Sequence, residues 1–230
     1  MRALRVLVVV LVVLCGVFVA VDRAAVYFAE SEAADRVRIA GGDAESTDVS
    51  IKGFPFLTQV ADRRLDRVDV SLSGISAASG GRTVRISGLD ARLEDVTLGE
   101  GYSSATAGRL SGTAAVSYAD LTTAVGDEAV SVAYGGDGKV KVTGSVSLLG
   151  RSFSRSVTST VTLIDGRTVR VHADKVPGEG IPGLEDLVRT KTDFERELSG
   201  LPDGLELSKI EVAENGLRIS VRGTGFALTG

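Results

Sequence analysis

The sequence predicts a β-dominated α+β fold: a long antiparallel sheet, one main amphipathic helix, and an N-terminal helix suited to a membrane. Three observations predict it. From about residue 47 onward, apolar and polar residues alternate with period two over long runs, the pattern of strands with one buried face. Asp137-Gly138, Asp165-Gly166 and Asn215-Gly216 each stand between alternating runs and supply the positive φ that tight hairpins need. A single stretch, 182–198, is strongly amphipathic at helical spacing.

The N-terminus comes first. Arg2 and Arg5 precede an apolar run, 6–21, closed by Asp22 and Arg23. Basic residues before the run keep that end in the cytoplasm and send the rest outside. The run holds 16 residues, longer than a usual signal-peptide core and slightly short of a comfortable span of about 20. Cleavage after Ala20 puts Phe18 at −3, where a small residue belongs, so an uncleaved anchor is the expectation. Cleavage would make the protein secreted. Val12-Val13-Leu14-Cys15 is spaced like a lipoprotein box, but Leu14 stands where a small residue is needed. The expected division is an anchor over 1–23 and an extracytoplasmic domain over 24–230.

Residues 22–39, rich in Ala and Glu with no Gly or Pro, predict a second helix ended by Gly41-Gly42. Strands then follow from alternation at Val68, Val70 and Leu72, at Val84 and Ile86, and at Val140, Val142, Val146 and Leu148. Further strands carry Phe153, Val157, Val161 and Leu163, then Val169 and Val171, then Ile219 and Val221. In Leu205, Leu207, Ile210 and Val212 the phase slips at Ser208-Lys209, which predicts a bulge. A short helix is expected from Asp120. In 182–198, Pro182 opens the helix and Gly200 follows it, with Leu184, Leu187, Val188, Phe194 and Leu198 on one face and Lys191 near its middle.

Composition excludes several functions. The formal net charge is −4 and no dense Lys/Arg tract occurs, which argues against nucleic-acid binding. The only cysteine, Cys15, lies in the apolar run, so the outer domain has no disulfide, thiolate metal site or cysteine nucleophile. His172 is the only histidine and alternates onto the polar face of its strand, a poor place for a catalytic base. It also excludes a multi-His zinc site. Gly135-Gly136-Asp137-Gly138-Lys139 lacks the spacing and following Ser/Thr of a phosphate loop and reads as a hairpin turn. Asp90, Glu94, Asp95, Glu185 and Asp186 are numerous enough for a carboxylate hydrolase, but no Trp is present to stack on a sugar ring. No catalytic residue, metal or cofactor is expected.

One-faced strands must cover their apolar side, and the helices are few. Two readings stay open at this point. Either the sheet closes on itself into an ordinary core, as in a structural or scaffolding envelope protein, or its apolar face remains an open groove suited to acyl chains.

Residues 53–59, Gly-Phe-Pro-Phe-Leu-Thr-Gln, bear on this choice. With Val49-Ser50-Ile51-Lys52 before them, Arg67-Val68-Asp69-Val70 after them, the Asp22-Arg23 junction and the terminal 216–221 strand, they resemble the LmeA-like phospholipid-binding family of actinobacteria. The resemblance covers most of the chain beyond residue 22. It implies a TULIP-like half-barrel, a long curved sheet wrapped around one main helix and enclosing a lipid groove. It also implies an envelope location, phospholipid ligands including anionic phosphatidylinositol-type lipids, and a part in lipoglycan assembly. Groove or mouth residues on this reading are Phe54, Phe56, Leu57, Leu184, Leu187, Val188, Lys191 and Phe194. Phe54 and Phe56, flanking Pro55, are expected to project in similar senses from a rigid, extended corner, where they line the groove mouth, dip into the bilayer or plug one end of the core. Lys191 reads either as a headgroup contact or as a snorkelling side chain. Arg63, Arg64 and Arg67 form a small basic patch beside the motif.

Overall fold

The computed structural model describes residues 2–40, 44–79, 82–102, 104–148, 151–174, 193–197 and 204–229. Helix α1 (Arg2–Ala40) is unbroken over 39 residues. The sequence suggested a membrane segment and a separate helix meeting at Asp22-Arg23. No Gly or Pro interrupts residues 17–40, so helical propensity carries the chain straight across that charge pair. The apolar run is uncovered by protein, while Ala25, Val26 and Ala29 one turn further on pack against the core.

The strands follow in order: β1 (Ser46–Lys52), β2 (Arg64–Ser79), β3 (Arg82–Leu98), β4 (Ser104–Ser117), β5 (Val130–Gly136), β6 (Lys139–Leu148), β7 (Arg151–Ile164), β8 (Thr168–Ala173), β9 (Phe194–Glu197), β10 (Leu205–Ala213) and β11 (Gly216–Thr229). Two short helices interrupt them, α2 (Phe56–Ala61) and α3 (Tyr118–Val125). The strands form two antiparallel sheets, not one continuous sheet. The larger has the order β1-β2-β3-β4-β11-β10 and the smaller β5-β6-β7-β8-β9. They meet where Leu207 N–H of β10 donates to the Gly166 carbonyl in the β7–β8 turn at 2.8 Å. Helix α3 fills the other junction. Its Ser117 cap accepts from Asp120 N–H, Gly126 ends it at φ 68°, and Thr122 Oγ1 accepts from Val132 N–H of β5.

Register explains the core. Ile51, Val68, Leu93 and Leu110 lie in one cross-strand row that ends at Leu205, and Val49, Val70, Ala91, Gly112, Val221 and Leu207 in the next. The opposite face of the same strands carries Asp69, Arg92, Ser111, Arg222 and Glu206. The main core gathers Phe56, Leu65, Leu93, Val96, Ala107, Leu110 and Leu205 beneath α2 and the middle of α1. Further along the same face Leu72, Leu89, Ala114, Ile219 and Ile210 are only half-buried. In the smaller sheet Val132, Val142, Val161, Leu163, Val169 and Val171 are half-buried too.

The hairpin dipeptides sit where expected. Asp137 and Gly138 (φ 49° and 69°) turn β5 into β6, and Asp165 and Gly166 (φ 53° and 64°) turn β7 into β8. Gly216 works differently. At φ 149° it begins β11, and a Cβ there would lie 2.2 Å from the Val116 carbonyl oxygen, so close backbone approach selects glycine. The bulge falls between Leu207 and Lys209, as the phase slip requires.

Two expectations need correction. Residues 194–197 are not helical: Phe194–Glu197 is strand β9, with Phe194 paired to Val171 and the Arg170 guanidinium bonded to the Glu195 carboxylate. The open edge of β8 offers ladder hydrogen bonds and this cross-strand pair, which outweigh the helical spacing. Asp193 is not helical either, and residues 182–192 and 198 of that expected helix, including Leu184, Leu187, Val188 and Lys191, lie outside the described residues. The second correction concerns 53–59, which is a bend into a helix and not an extended corner.

Candidate functional site

The Gly-Phe-Pro-Phe-Leu-Thr-Gln segment is built residue by residue around the outer end of the apolar helix. Gly53 has φ 105°, and a Cβ there would lie 2.6 Å from Gln59 Nε2 and 2.7 Å from Asp66 Oδ2, so only glycine fits. The Phe54–Pro55 peptide is cis. Pro55 occupies the cap position of α2 without a side chain able to accept a hydrogen bond. The acceptor comes from 35 residues away: Asp22 Oδ1 takes the Leu57 N–H at 2.8 Å. Thr58 Oγ1 donates to the Pro55 carbonyl, and Gln59 Oε1 accepts from Asp66 N–H, tying α2 to β2.

Asp22 is completely buried, and its other oxygen is bound by the Arg23 guanidinium at 2.6 Å. Burial alone raises the carboxyl pKa. The Arg23 guanidinium and the N–H groups of Leu57 and Phe56 more than offset this and hold it below the ordinary carboxylate range. The Arg23 guanidinium also lies over the Phe54 ring, 5.3 Å from its centroid. About two helical turns further, Glu30 Oε1 accepts from Ile51 N–H at 2.7 Å, closing a donor on the outer edge of β1. Asp22, Arg23 and Glu30 thus fasten α1 to the segment running from β1 into α2.

The two phenylalanines of the motif diverge. Phe56 is 6% exposed and belongs to the main core; Phe54 is 59% exposed. Helix α2 begins at Phe56 and swings that ring under the sheet, while Phe54 stays outside beneath Arg23. Leu57 packs partly buried beside Phe56. Phe194 sits in β9. Sequence reasoning named the motif and the Asp22-Arg23 junction but missed their contact, and it missed Glu30 and Gln59. A signal was present: a helix start at Pro55 with no capping side chain must borrow one.

His172 lies exposed on β8, with Nδ1 2.7 Å from Asp193 Oδ2, and Asp193 Oδ1 accepts the Ala173 N–H. Asp193 therefore joins the entry of β9 to β8. Among the described residues no group of three or more His, Cys, Asp or Glu side chains is placed to hold a metal ion. Two shallow clefts of about 550 and 600 Å³ lie on the polar face of the larger sheet. Arg92, Glu94, Arg109, Arg167, Glu206 and Arg222 line the first, and Asp69, Ser71, Asp90 and Thr113 contribute to the second. Arg92 is already paired with Asp69, and Arg109 with Glu94 and Asp95. Leu110 and Leu205 also line the first cleft, and Val70, Ala91 and Val221 the second, so both combine charged rims with aliphatic surface.

The pattern of the LmeA-like phospholipid-binding proteins matches residues 20–222. The chain belongs to the LmeA-like phospholipid-binding family. The match takes in Asp22-Arg23, the 53–59 segment and both sheets, the same parts that the fold joins at the end of α1. No curated protein and no solved structure matches the chain. As a member of a phospholipid-binding family with a long apolar N-terminal helix, the protein is one whose named property is binding.

Proposed function

We propose that this LmeA-like protein is tethered outside the cytoplasm by α1 and holds phospholipid acyl chains against the apolar faces of its sheets. The family match supports lipid as the ligand. The observation that carries the reading is the half-buried aliphatic face. Among the described residues only fourteen apolar side chains are buried, whereas Leu72, Leu89, Ile210, Ile219, Val142, Val161, Leu163 and Val171 are left partly open. A closed core of this size covers such residues; aliphatic surface left open beside a membrane helix suits acyl chains.

On this reading the sheets curve in the TULIP manner around a groove. Leu184, Leu187, Val188, Lys191 and Phe194 line it, Lys191 meets the phosphate, and Phe54 stands near the mouth with Phe56 and Leu57 behind it. The protein presents or transfers lipid, including anionic phosphatidylinositol-type lipid, for envelope lipoglycan assembly, and catalyses nothing itself.

The test is native mass spectrometry of a chain starting at residue 20, purified gently and then incubated with phosphatidylinositol-containing vesicles. A mass increment of one or more phospholipids is expected. A clean apo mass with no uptake would favour the closed structural protein. Ile219→Glu, which places a charge on the half-buried face, should reduce lipid occupancy at least fivefold while leaving the circular dichroism spectrum unchanged.

A further inference from the structure

We infer that the outer domain does not swing on a leash but is fixed on the bilayer, with Tyr27, Phe28 and Phe54 seated in the lipid headgroup layer. The inference rests on the tethered reading of α1. Three independent features converge on it.

The first is continuity. Helix α1 runs from the apolar segment into the domain with no break, so a membrane-embedded half sets the direction of the docked half. The second is the fastening. Asp22 caps α2, Arg23 covers Phe54, and Glu30 binds the edge of β1, giving contacts at both ends of a helical stretch about 12 Å long. A rigid helix held at two points leaves no hinge at the membrane boundary. The cap also conceals the one carboxylate next to the hydrocarbon, since Asp22 is 0% exposed and fully bonded.

The third is the aromatic collar. Tyr27 and Phe28 are 69% and 70% exposed and pack edge to face with each other, with ring centroids 5.9 Å apart. They begin six residues past Val21, about 9 Å along the helix axis. Helical side chains tilt toward the N-terminus, which brings both rings back toward the bilayer. The run of 16 apolar residues spans about 24 Å against a hydrocarbon core of about 30 Å, so the outer turns are drawn inward by several ångströms. Aromatic rings at this depth occupy the belt where Tyr and Trp anchor membrane proteins. Phe54 joins them through Arg23, whose guanidinium lies over the Phe54 ring and on this placement stands at phosphate level.

The chain contains no tryptophan, so single-Trp variants report depth without background. The experiment uses the full chain in phosphatidylcholine vesicles carrying acyl chains brominated near the headgroup or near the bilayer centre. Phe28→Trp and Phe54→Trp should each lose at least half their emission to the shallow label. Phe18→Trp should be quenched by the deep label. Tyr134→Trp should be quenched by neither. Tyr134 lies in β5, which is bonded to α3 just past the far end of β4, and the 14 residues of β4 span roughly 45 Å.

Each outcome decides something. A quenched Phe18→Trp with unquenched Phe28→Trp and Phe54→Trp overturns the collar and leaves the tether standing. An unquenched Phe18→Trp overturns the tether itself. Equal quenching at Tyr134→Trp and Phe54→Trp overturns the fixed orientation. Adding Asp22→Ala to Phe54→Trp, which removes the Leu57 cap, should at least halve its shallow quenching while Phe18→Trp is unaffected; unchanged quenching overturns the role of the fastening. If Asp22→Ala does not fold, Arg23→Gln, which leaves the Leu57 cap in place and removes the cover over Phe54, should likewise halve the shallow quenching, and unchanged quenching there overturns the fastening too.

Discussion

Phe54 and Phe56 are two residues apart and identical in type, yet their environments assign them different work. Truncating Phe56 removes a ring from among Leu65, Leu93, Val96 and Leu110, so Phe56→Ala should cost about 3–5 kcal/mol in denaturant melts. Phe54→Ala should cost less than about 1 kcal/mol, since it loses only a stacked guanidinium and exposed area. The pair therefore separates stability from any role at a surface. Asp22 adds a pH signature. Its folded pKa is depressed, so its contribution is fully present above the ordinary value of 3.8 and is lost as pH falls through the lower folded value. Wild type should thus exceed Asp22→Asn in melting temperature by several degrees at pH 7, and the gap should close as pH falls below 3.8 and through the lower folded value. A gap constant down to pH 2 would mean that the Asp22 charge does not hold the cap. The sequence displayed Asp22 and the motif as separate signatures, because a contact across 35 residues leaves no trace in local spacing.

At the scale of elements, what the alternation exposed and what it hid have one cause. Strands β2, β6, β7 and β8 carry apolar residues at alternate positions over much of their length, and the phase slip at Ser208 marked the bulge directly. Strand β4 was silent, although it is central, between β3 and β11. Only Leu110 and Val116 among its buried positions are large: Ala107 is fully buried, and at Gly112 a Cβ would lie 3.1 Å from Val221 Cγ2 and 3.3 Å from the Asp90 carbonyl. Neighbouring strands fill the space above these small residues, so most of the hydrophobic signal there belongs to Leu93 and Val221. Gly112→Val should therefore overpack this position and destabilise the domain by about 1–3 kcal/mol, read as a lower denaturation midpoint with an unchanged slope. Helix α2 and strand β9 were hidden for another reason. Each is short and held by partners distant in sequence, Asp22 for the one and the edge of β8 for the other. Helical spacing over 182–198 carried no information about that edge.

Across the whole molecule these contacts move the boundary of the folded unit. Sequence reading placed the division after residue 23, where the charge pair ends the apolar run. The cap from Asp22 to Leu57 and the cover of Arg23 over Phe54 place both residues inside the domain, and the family match likewise starts at residue 20. A domain that begins with its own helix cap cannot be trimmed at residue 24 without leaving the first N–H groups of α2 unpaired beneath the motif. A chain beginning at residue 20 should consequently melt several degrees above one beginning at residue 24, at equal concentration and neutral pH. Amide exchange should show the loss at Leu57 and its neighbours, while β6 and β7, in the other sheet, keep their protection. Equal melting temperatures and equal exchange at Leu57 would return the boundary to residue 24 and make α1 a detachable leader. A difference confined to α2 and β1 would establish the turn of α1 that follows the apolar run as the first piece of the folded domain.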